Sequence, residues 1–179
     1  MSLPDSVNLH DLLRSFPGMT DQEIYDEGED LYHDAFISRE GRSGEILSHD
    51  LQPVRFFADR YQHAFRTSFD RARMEFSKAK IAVDRIERLD WIKPMIQGRV
   101  PGTECWEVPL RVPEEGRRPF PGKRMYLSWE HQYVIWLEPL KNGGFKFSSA
   151  YASVPHRTIR EEYLLRANKI WGHPNSPKK

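Results

Sequence analysis

A run of aromatic and β-branched residues near the end of the chain decides the fold. Residues 124–129 (RMYLSW) and 133–137 (YVIWL) are separated by the segment EHQ, and residues 145–151 (FKFSSAY) follow the turn sequence KNGG. Short connections between runs of high β-propensity are typical of antiparallel hairpins. The stretch therefore predicts a three-stranded antiparallel meander, and residues 105–108 (CWEV) predict one more strand before it.

Upstream of the meander, the apolar residues recur at helical spacing. Thr20 and Glu23 have the spacing of a capping box, which predicts a helix from residue 21 onward. A second helix is predicted after residue 53, and its apolar positions are Val54, Phe57, Tyr61 and Phe65. A third helix is predicted from Asp70 to Lys93, because the residue before Pro94 disfavours the helical conformation. A last helix is predicted from about Thr158.

The composition excludes several classes of protein. No apolar run is long enough to span a membrane, the N-terminus has no secretory signal pattern, and the single cysteine, Cys105, cannot form an internal disulfide. These features lead us to expect a cytoplasmic protein. The sequence holds no zinc-ligand spacing and no nucleotide-phosphate loop, so we expect no metal site and no cofactor. The functions left open are metal-free acid–base catalysis and binding without catalysis.

The charge is distributed unevenly along the chain. Residues 1–50 hold 12 of the 26 acidic residues and three of the 27 basic ones, so this region carries −9 and the remainder +10. With a linker-like sequence at residues 39–50, this predicts an acidic helical N-terminal extension over 1–50 and an α+β domain over 51–179. The acidic region either covers a basic site for a polyanion or simply solvates its own helices.

His63 and the end of the last meander strand are the first candidates for chemistry. His63 lies off the apolar stripe of its predicted helix, where a histidine can transfer a proton or have no role at all. Alternation along the strand predicts Phe145, Phe147, Ser149 and Tyr151 on one face. The hydroxyls at the end of that face would form the floor of a cleft, or would simply meet water where the strand ends.

Basic residues flank this strand on both sides. Lys146 lies within it, and His156 and Arg157 follow it directly. A proline-rich loop over residues 109–121 precedes the meander and carries three more cations, Arg111, Arg117 and Arg118. Such cations are suited to contact with a phosphate backbone.

Four short motifs resemble the barnase–EndoU–colicin–RelE nuclease superfamily, in its phage and mobile-element branch. They are residues 85–94 (RIERLDWIKP), 124–127 (RMYL), 133–137 (YVIWL) and 147–151 (FSSAY), and the resemblance covers residues 54–160. Ser149 stands where the pattern usually shows threonine, and no proline follows Tyr151. The resemblance implies an α+β fold with N-terminal helices on a four-stranded antiparallel sheet and a short C-terminal helix.

The resemblance also implies a metal-independent ribonuclease of the toxin type, with RNA as substrate and an inhibitor or antitoxin protein as a second partner. His63 would transfer a proton, Ser149 and Tyr151 would position the base or phosphate, and Arg157 or Lys146 would stabilise the phosphorane. His156 and the three loop arginines would bind substrate. The alternatives are a non-catalytic binding module and a phage structural accessory. Convergence of these residues in one cleft would favour the enzyme.

Overall fold

The computed structural model describes residues 5–39, 41–67, 80–109 and 122–174. The strands in these ranges are β1 Ser43–Leu47, β2 Pro53–Phe57, β3 Thr103–Val108, β4 Lys123–Ser128, β5 Tyr133–Pro139, β6 Phe145–Tyr151 and β7 Asn168–Gly172. The α-helices are α1 Asp21–Phe36, α2 Arg60–Ala64, α3 Val83–Ile86, α4 Ile92–Ile96 and α5 His156–Thr158. Two 3₁₀ turns, Leu9–Leu12 and Leu89–Trp91, and a π-helical turn, Ile159–Tyr163, complete the described elements.

The described strands form one mixed sheet in the order β1-β2-β6-β5-β4-β3-β7. The predicted meander is present as β4, β5 and β6, and β3 pairs antiparallel with β4. The prediction of a four-stranded antiparallel sheet is nevertheless wrong. Three further strands extend the sheet at both edges, and β2 lies parallel to β6.

The extra strands lie where the sequence predicted other structure. Residues 53–57 match a helical spacing, but they alternate: Val54 and Phe56 are fully buried and Arg55 is exposed, as a half-buried strand requires. β1 occupies the predicted linker, and β7 occupies the end of the predicted C-terminal helix. β2 pairs with the distant β6 as well as with β1, and β7 pairs with the distant β3, and the local helical spacing does not reveal these partners.

The sheet buries apolar side chains on two faces. Residues on one face pack with the N-terminal helices in the main core, and we call this the first face. It includes Tyr126, Ile135 and Phe147. The second face carries a smaller cluster, which includes Leu127 and Val134. Ile159, from the segment after β6, packs on this second face.

The acidic N-terminal region belongs to the main core. Leu9, Tyr32 and Phe36 are almost completely buried, and the Tyr32 hydroxyl donates to the Phe57 carbonyl at 3.1 Å. The predicted capping box at the start of α1 is confirmed. The Thr20 side chain accepts a hydrogen bond from the Glu23 N–H, and the Glu23 carboxylate accepts one from the Thr20 N–H. The predicted division at residue 50 therefore does not coincide with a break in the core.

The long third helix is not continuous in the described part of the chain. Residues 68–79, which would begin it, lie outside the described residues. From residue 83 onward the chain forms α3, a 3₁₀ turn and α4 in succession. Pro94 does not end the helix but lies in the first turn of α4. A backbone N–H at that position has no intrahelical acceptor, so a proline there costs no helical hydrogen bond. None of the described helices is long and apolar enough to cross a membrane.

Candidate functional site at the end of strand β6

A β-bulge in β6 determines which side chains reach the candidate site. Trp136 of β5 pairs with Ser149, but its neighbour Leu137 pairs with Phe147, so Ser148 is an extra residue in β6. The bulge breaks the alternation of the strand. Phe147 lies in the main core on the first face, whereas Tyr151 packs with the second-face cluster. The prediction that all four alternate residues share one face is therefore wrong.

Tyr151 is the most strongly engaged residue of this strand end. Its hydroxyl accepts a hydrogen bond from the Trp136 indole N–H at 2.9 Å and lies 3.1 Å from the Tyr163 hydroxyl. Ser149 pairs with Trp136 and so lies on the same face. The π-helical turn after β6 thus supplies a second phenol beside the predicted one.

Arg85 of α3 places a cation over this tyrosine. Its guanidinium carbon lies 5.2 Å from the centre of the Tyr151 ring, and its Nη1 donates to the Ala64 carbonyl at 2.8 Å. Burial lowers the pKa of the guanidinium, but an arginine remains charged in a protein. Among the described residues, no carboxylate lies within ion-pair distance of Arg85. The site therefore holds a partly desolvated positive charge.

Arg85 falls within the long third helix that the sequence predicts from Asp70 to Lys93. The helix is broken into short segments, and α3 packs beside β6. Arg85 therefore faces a strand end instead of solvent. The only sequence signal for Arg85 is that it opens the motif at residues 85–94, which does not by itself indicate a site.

His63 is exposed on α2, which also packs beside β6. It directly precedes Ala64, whose carbonyl group holds the Arg85 side chain. His63 is therefore connected to Arg85 and Tyr151 only through the backbone of its neighbour Ala64. Both α2 and α3 contact β6, and Arg85 is the residue that reaches the end of the strand.

Lys146 lies on the second face but nearer the other end of β6. Its ammonium group is 3.1 Å from one carboxylate oxygen of Glu138. The other oxygen of that carboxylate lies 3.6 Å from the Lys123 ammonium group and accepts a hydrogen bond from the Ser148 hydroxyl at 3.2 Å. Burial acts to raise the pKa of Glu138, but the hydrogen bond from Lys146 and the charges of both lysines outweigh it and lower the pKa. Lys146 is therefore part of a charged row across β4, β5 and β6.

His156 lies beside the β4–β5 turn instead, and Arg157 follows it in α5. The His156 Nε2 donates to the Trp129 carbonyl at 2.9 Å, and the Arg157 guanidinium bonds Glu161 at 2.8 Å with 84% of its side chain exposed. This turn is separated from Glu138 by most of β5, about 17 Å at the rise of a strand. The two residues therefore do not join Lys146. Arg111, Arg117 and Arg118 lie outside the described residues.

The described residues contain no group of three or more histidine, cysteine, aspartate or glutamate side chains arranged to hold a metal ion. Comparisons of the chain with protein-family models, with curated proteins and with solved structures find no match. The assignment of function therefore rests on the geometry of the site.

Proposed function

We propose that the chain is a metal-independent ribonuclease whose active site lies at the end of β6. The observation that supports it is the Arg85 guanidinium, which lies over the Tyr151 ring without a carboxylate partner among the described residues. A phosphodiester is the natural anion for a partly desolvated arginine, because the guanidinium can donate two parallel hydrogen bonds to phosphate oxygens.

In this proposal the ribose 2′-oxygen attacks the adjacent phosphorus, and the bond to the 5′-oxygen of the next nucleotide breaks. The products are a 2′,3′-cyclic phosphate and a free 5′-hydroxyl. His63 accepts the proton of the 2′-hydroxyl, and the Tyr151–Tyr163 pair donates a proton to the departing 5′-oxygen. Ser149 positions the phosphate, and Arg85 stabilises the charge on its oxygens.

Arg85 takes the role in this proposal that the sequence suggested for Arg157. The Arg157 side chain is mostly exposed and is paired with Glu161, so it is poorly placed to stabilise a transition state at Tyr151. Lys146 is held by Glu138 on the same face as Ser149 and would contact the substrate backbone. A ribonuclease of this kind, in the cytoplasm of the cell that makes it, would need an inhibitor or antitoxin protein.

The test is incubation of the purified chain with total tRNA, with and without excess chelator. We expect discrete fragments in both reactions. Arg85→Gln should lower the cleavage rate by about 10²–10³-fold, the typical cost of removing one charge-stabilising donor. Arg157→Gln is the matched control and should stay within a few-fold of the parent. Cleavage that disappears with chelator and returns with a divalent ion would refute the metal-independent mechanism.

A non-catalytic nucleic-acid- or protein-binding module is the second candidate. The Tyr151 hydroxyl is already bonded on two sides, and His63 and His156 lie on different elements with no contact between them. For such a module, Arg85→Gln would weaken RNA binding in a filter or fluorescence assay, while neither protein would yield fragments from tRNA.

A further inference from the structure

The segment formed by residues 5–16, which we call the N-terminal strap, crosses the end of the main core. Leu9 anchors it by complete burial, and the Val7 N–H donates to the Arg99 carbonyl at 2.9 Å. Arg14 ties its other end, with an ion pair to Asp90 at 2.6 Å. Val7, Leu12 and Phe16 also pack against the main core, so the strap is held by apolar contacts as well as by these polar ones.

Two cavities border the strap. One of about 250 Å³ is lined by strap residues together with Pro101, Glu130 and His131. The other, of about 330 Å³, is lined by strap residues together with Phe36 and Asp90. Because packing contacts stabilise a segment only where atoms touch, these two cavities reduce the stabilisation that the strap gains from packing.

One contact between the strap and the body of the protein is made by two histidines. The ring of His10 on the strap lies 5.0 Å from the ring of His131 in the β4–β5 turn. The His131 Nδ1 is 2.9 Å from the Ser128 hydroxyl, and Trp91 packs edge-on against the ring at 5.2 Å. The Nε2 atom of His131 is buried and has no hydrogen-bond partner among the described residues.

We propose that His10 and His131 form a pH-sensitive contact, which holds the N-terminal strap closed at neutral pH and loosens it in mild acid. Protonation would give the His131 ring an N–H on both nitrogens, so that the buried Nε2–H has no acceptor and Nδ1 can no longer accept from the Ser128 hydroxyl. It would also bring two imidazolium rings together. Both consequences disfavour the closed strap, and opening relieves both because it separates the rings and admits water.

The charged groups around His131 do not cancel this effect. Burial lowers the pKa of the His131 imidazole; Glu130 of the same turn acts to raise it, whereas His10 from the strap and Arg88 from beyond α3 add to the lowering. Trp91 and Ser128 are the uncharged neighbours. The balance favours the neutral ring in the closed state.

The sign of the pH dependence follows from linkage. When the strap is open and His131 is solvated, the ring binds a proton at the ordinary histidine pKa of about 6.5, but the closed state binds it only at lower pH. The contact therefore contributes its full stability above about pH 6.5. It loses that stability as the pH falls from 6.5 toward the lowered pKa of the closed state.

Hydrogen exchange of the backbone amides at residues 7–13 tests this directly in the full chain. After correction for intrinsic exchange, the opening equilibrium of these amides should rise about threefold to tenfold between pH 7.5 and pH 5.5. The comparison stops at pH 5.5 because carboxyl groups generally titrate near pH 4. Equal protection of the strap at the two pH values would refute the proposal.

Two substitutions assign the effect to the histidine pair. His131→Asn should abolish the pH dependence of strap opening, and His10→Asn, at an exposed position where folding is not at risk, should reduce it at least twofold. His33→Asn on α1 is the control and should leave the dependence as in the parent. A full pH response in His10→Asn, or an equal loss in the His33→Asn control, would overturn the proposal even if His131→Asn failed to fold.

Discussion

The ion pair between Asp50 and Arg124 offers a quantitative test of what holds the β1–β2 loop to the sheet. Both carboxylate oxygens of Asp50 accept from the Arg124 guanidinium at 2.8 Å, and that guanidinium also lies 4.3 Å from the centre of the Phe145 ring. The Arg124 side chain is only 12% exposed. Removing its partner would leave a nearly buried charge uncompensated, which is the costly case for an ion pair.

The size of the effect follows from the pKa of Asp50. Burial acts to raise that pKa, but the hydrogen bonds from Arg124 and Ser48 and the charge of Arg124 outweigh it and lower the value to about 2, from 3.8. At 1.36 kcal/mol per pKa unit, the full shift corresponds to about 2.4 kcal/mol. Because Asp50 is a third exposed and solvent screens the pair, we expect Asp50→Asn to cost about 1.5 kcal/mol at pH 7.

Urea denaturation at pH 7, 5 and 3 measures this cost. A loss of 1.5 kcal/mol corresponds to a fall in melting temperature of about 3–6 °C for a chain of this size. The lowered pKa means that the stabilisation is complete above about pH 4 and is lost as the pH falls toward 2, so the parent and Asp50→Asn should converge in acid. Glu45→Gln, which removes an exposed pair with Arg55 at 3.3 Å, is the control and should cost under 0.5 kcal/mol. Equal costs for the two variants, or a difference that does not shrink at pH 3, would refute the reasoning.

Three further predictions concern the site and the core. His63→Ala should lower tRNA cleavage by about 10²–10⁴-fold if this residue transfers a proton, and undiminished fragment yield would assign that role elsewhere. Gly44→Ala places a Cβ against the Phe36 carbonyl oxygen, so urea denaturation should show a loss of about 1–3 kcal/mol; unchanged stability would mean that β1 can shift freely. A chain that begins at Gln52 lacks buried residues such as Tyr32 and should show no cooperative unfolding transition; a transition like that of the full chain would contradict the shared core.

The sequence predicted several parts of the fold that depend on neighbours in the chain, although not the β1–β2 hairpin. Strands β4, β5 and β6 follow one another through short turns, and the capping box at Thr20 involves residues three apart. Strand β7 could not be predicted in this way, because Trp171 pairs with Cys105, which lies 66 positions earlier. The helical spacing that includes Val54 and Phe57 was a coincidence, which the burial of Phe56 resolves.

The same distinction applies to the candidate site. Ser149 and Tyr151 could be singled out because a strand end with hydroxyls is visible in the sequence, but the face they occupy depends on the bulge at Ser148. Arg85 could not be singled out, because its contact with Tyr151 crosses from a helix to a strand 66 positions later. Long-range contacts of this kind leave no local periodicity.

The bulge at Ser148 explains how one strand serves both the core and the candidate site. A regular strand has a side-chain period of two, so Tyr151 would lie on the same face as Phe147, in the main core. The extra residue moves Tyr151 to the second face, where its hydroxyl meets Trp136 and Tyr163. Since β2 pairs with β6 only near its start, at residues 145 and 146, the rest of β6 is left for α2 and α3 to approach. The early part of β6 therefore fixes the strand in the sheet, while Tyr151 near its end lies within reach of the Arg85 side chain.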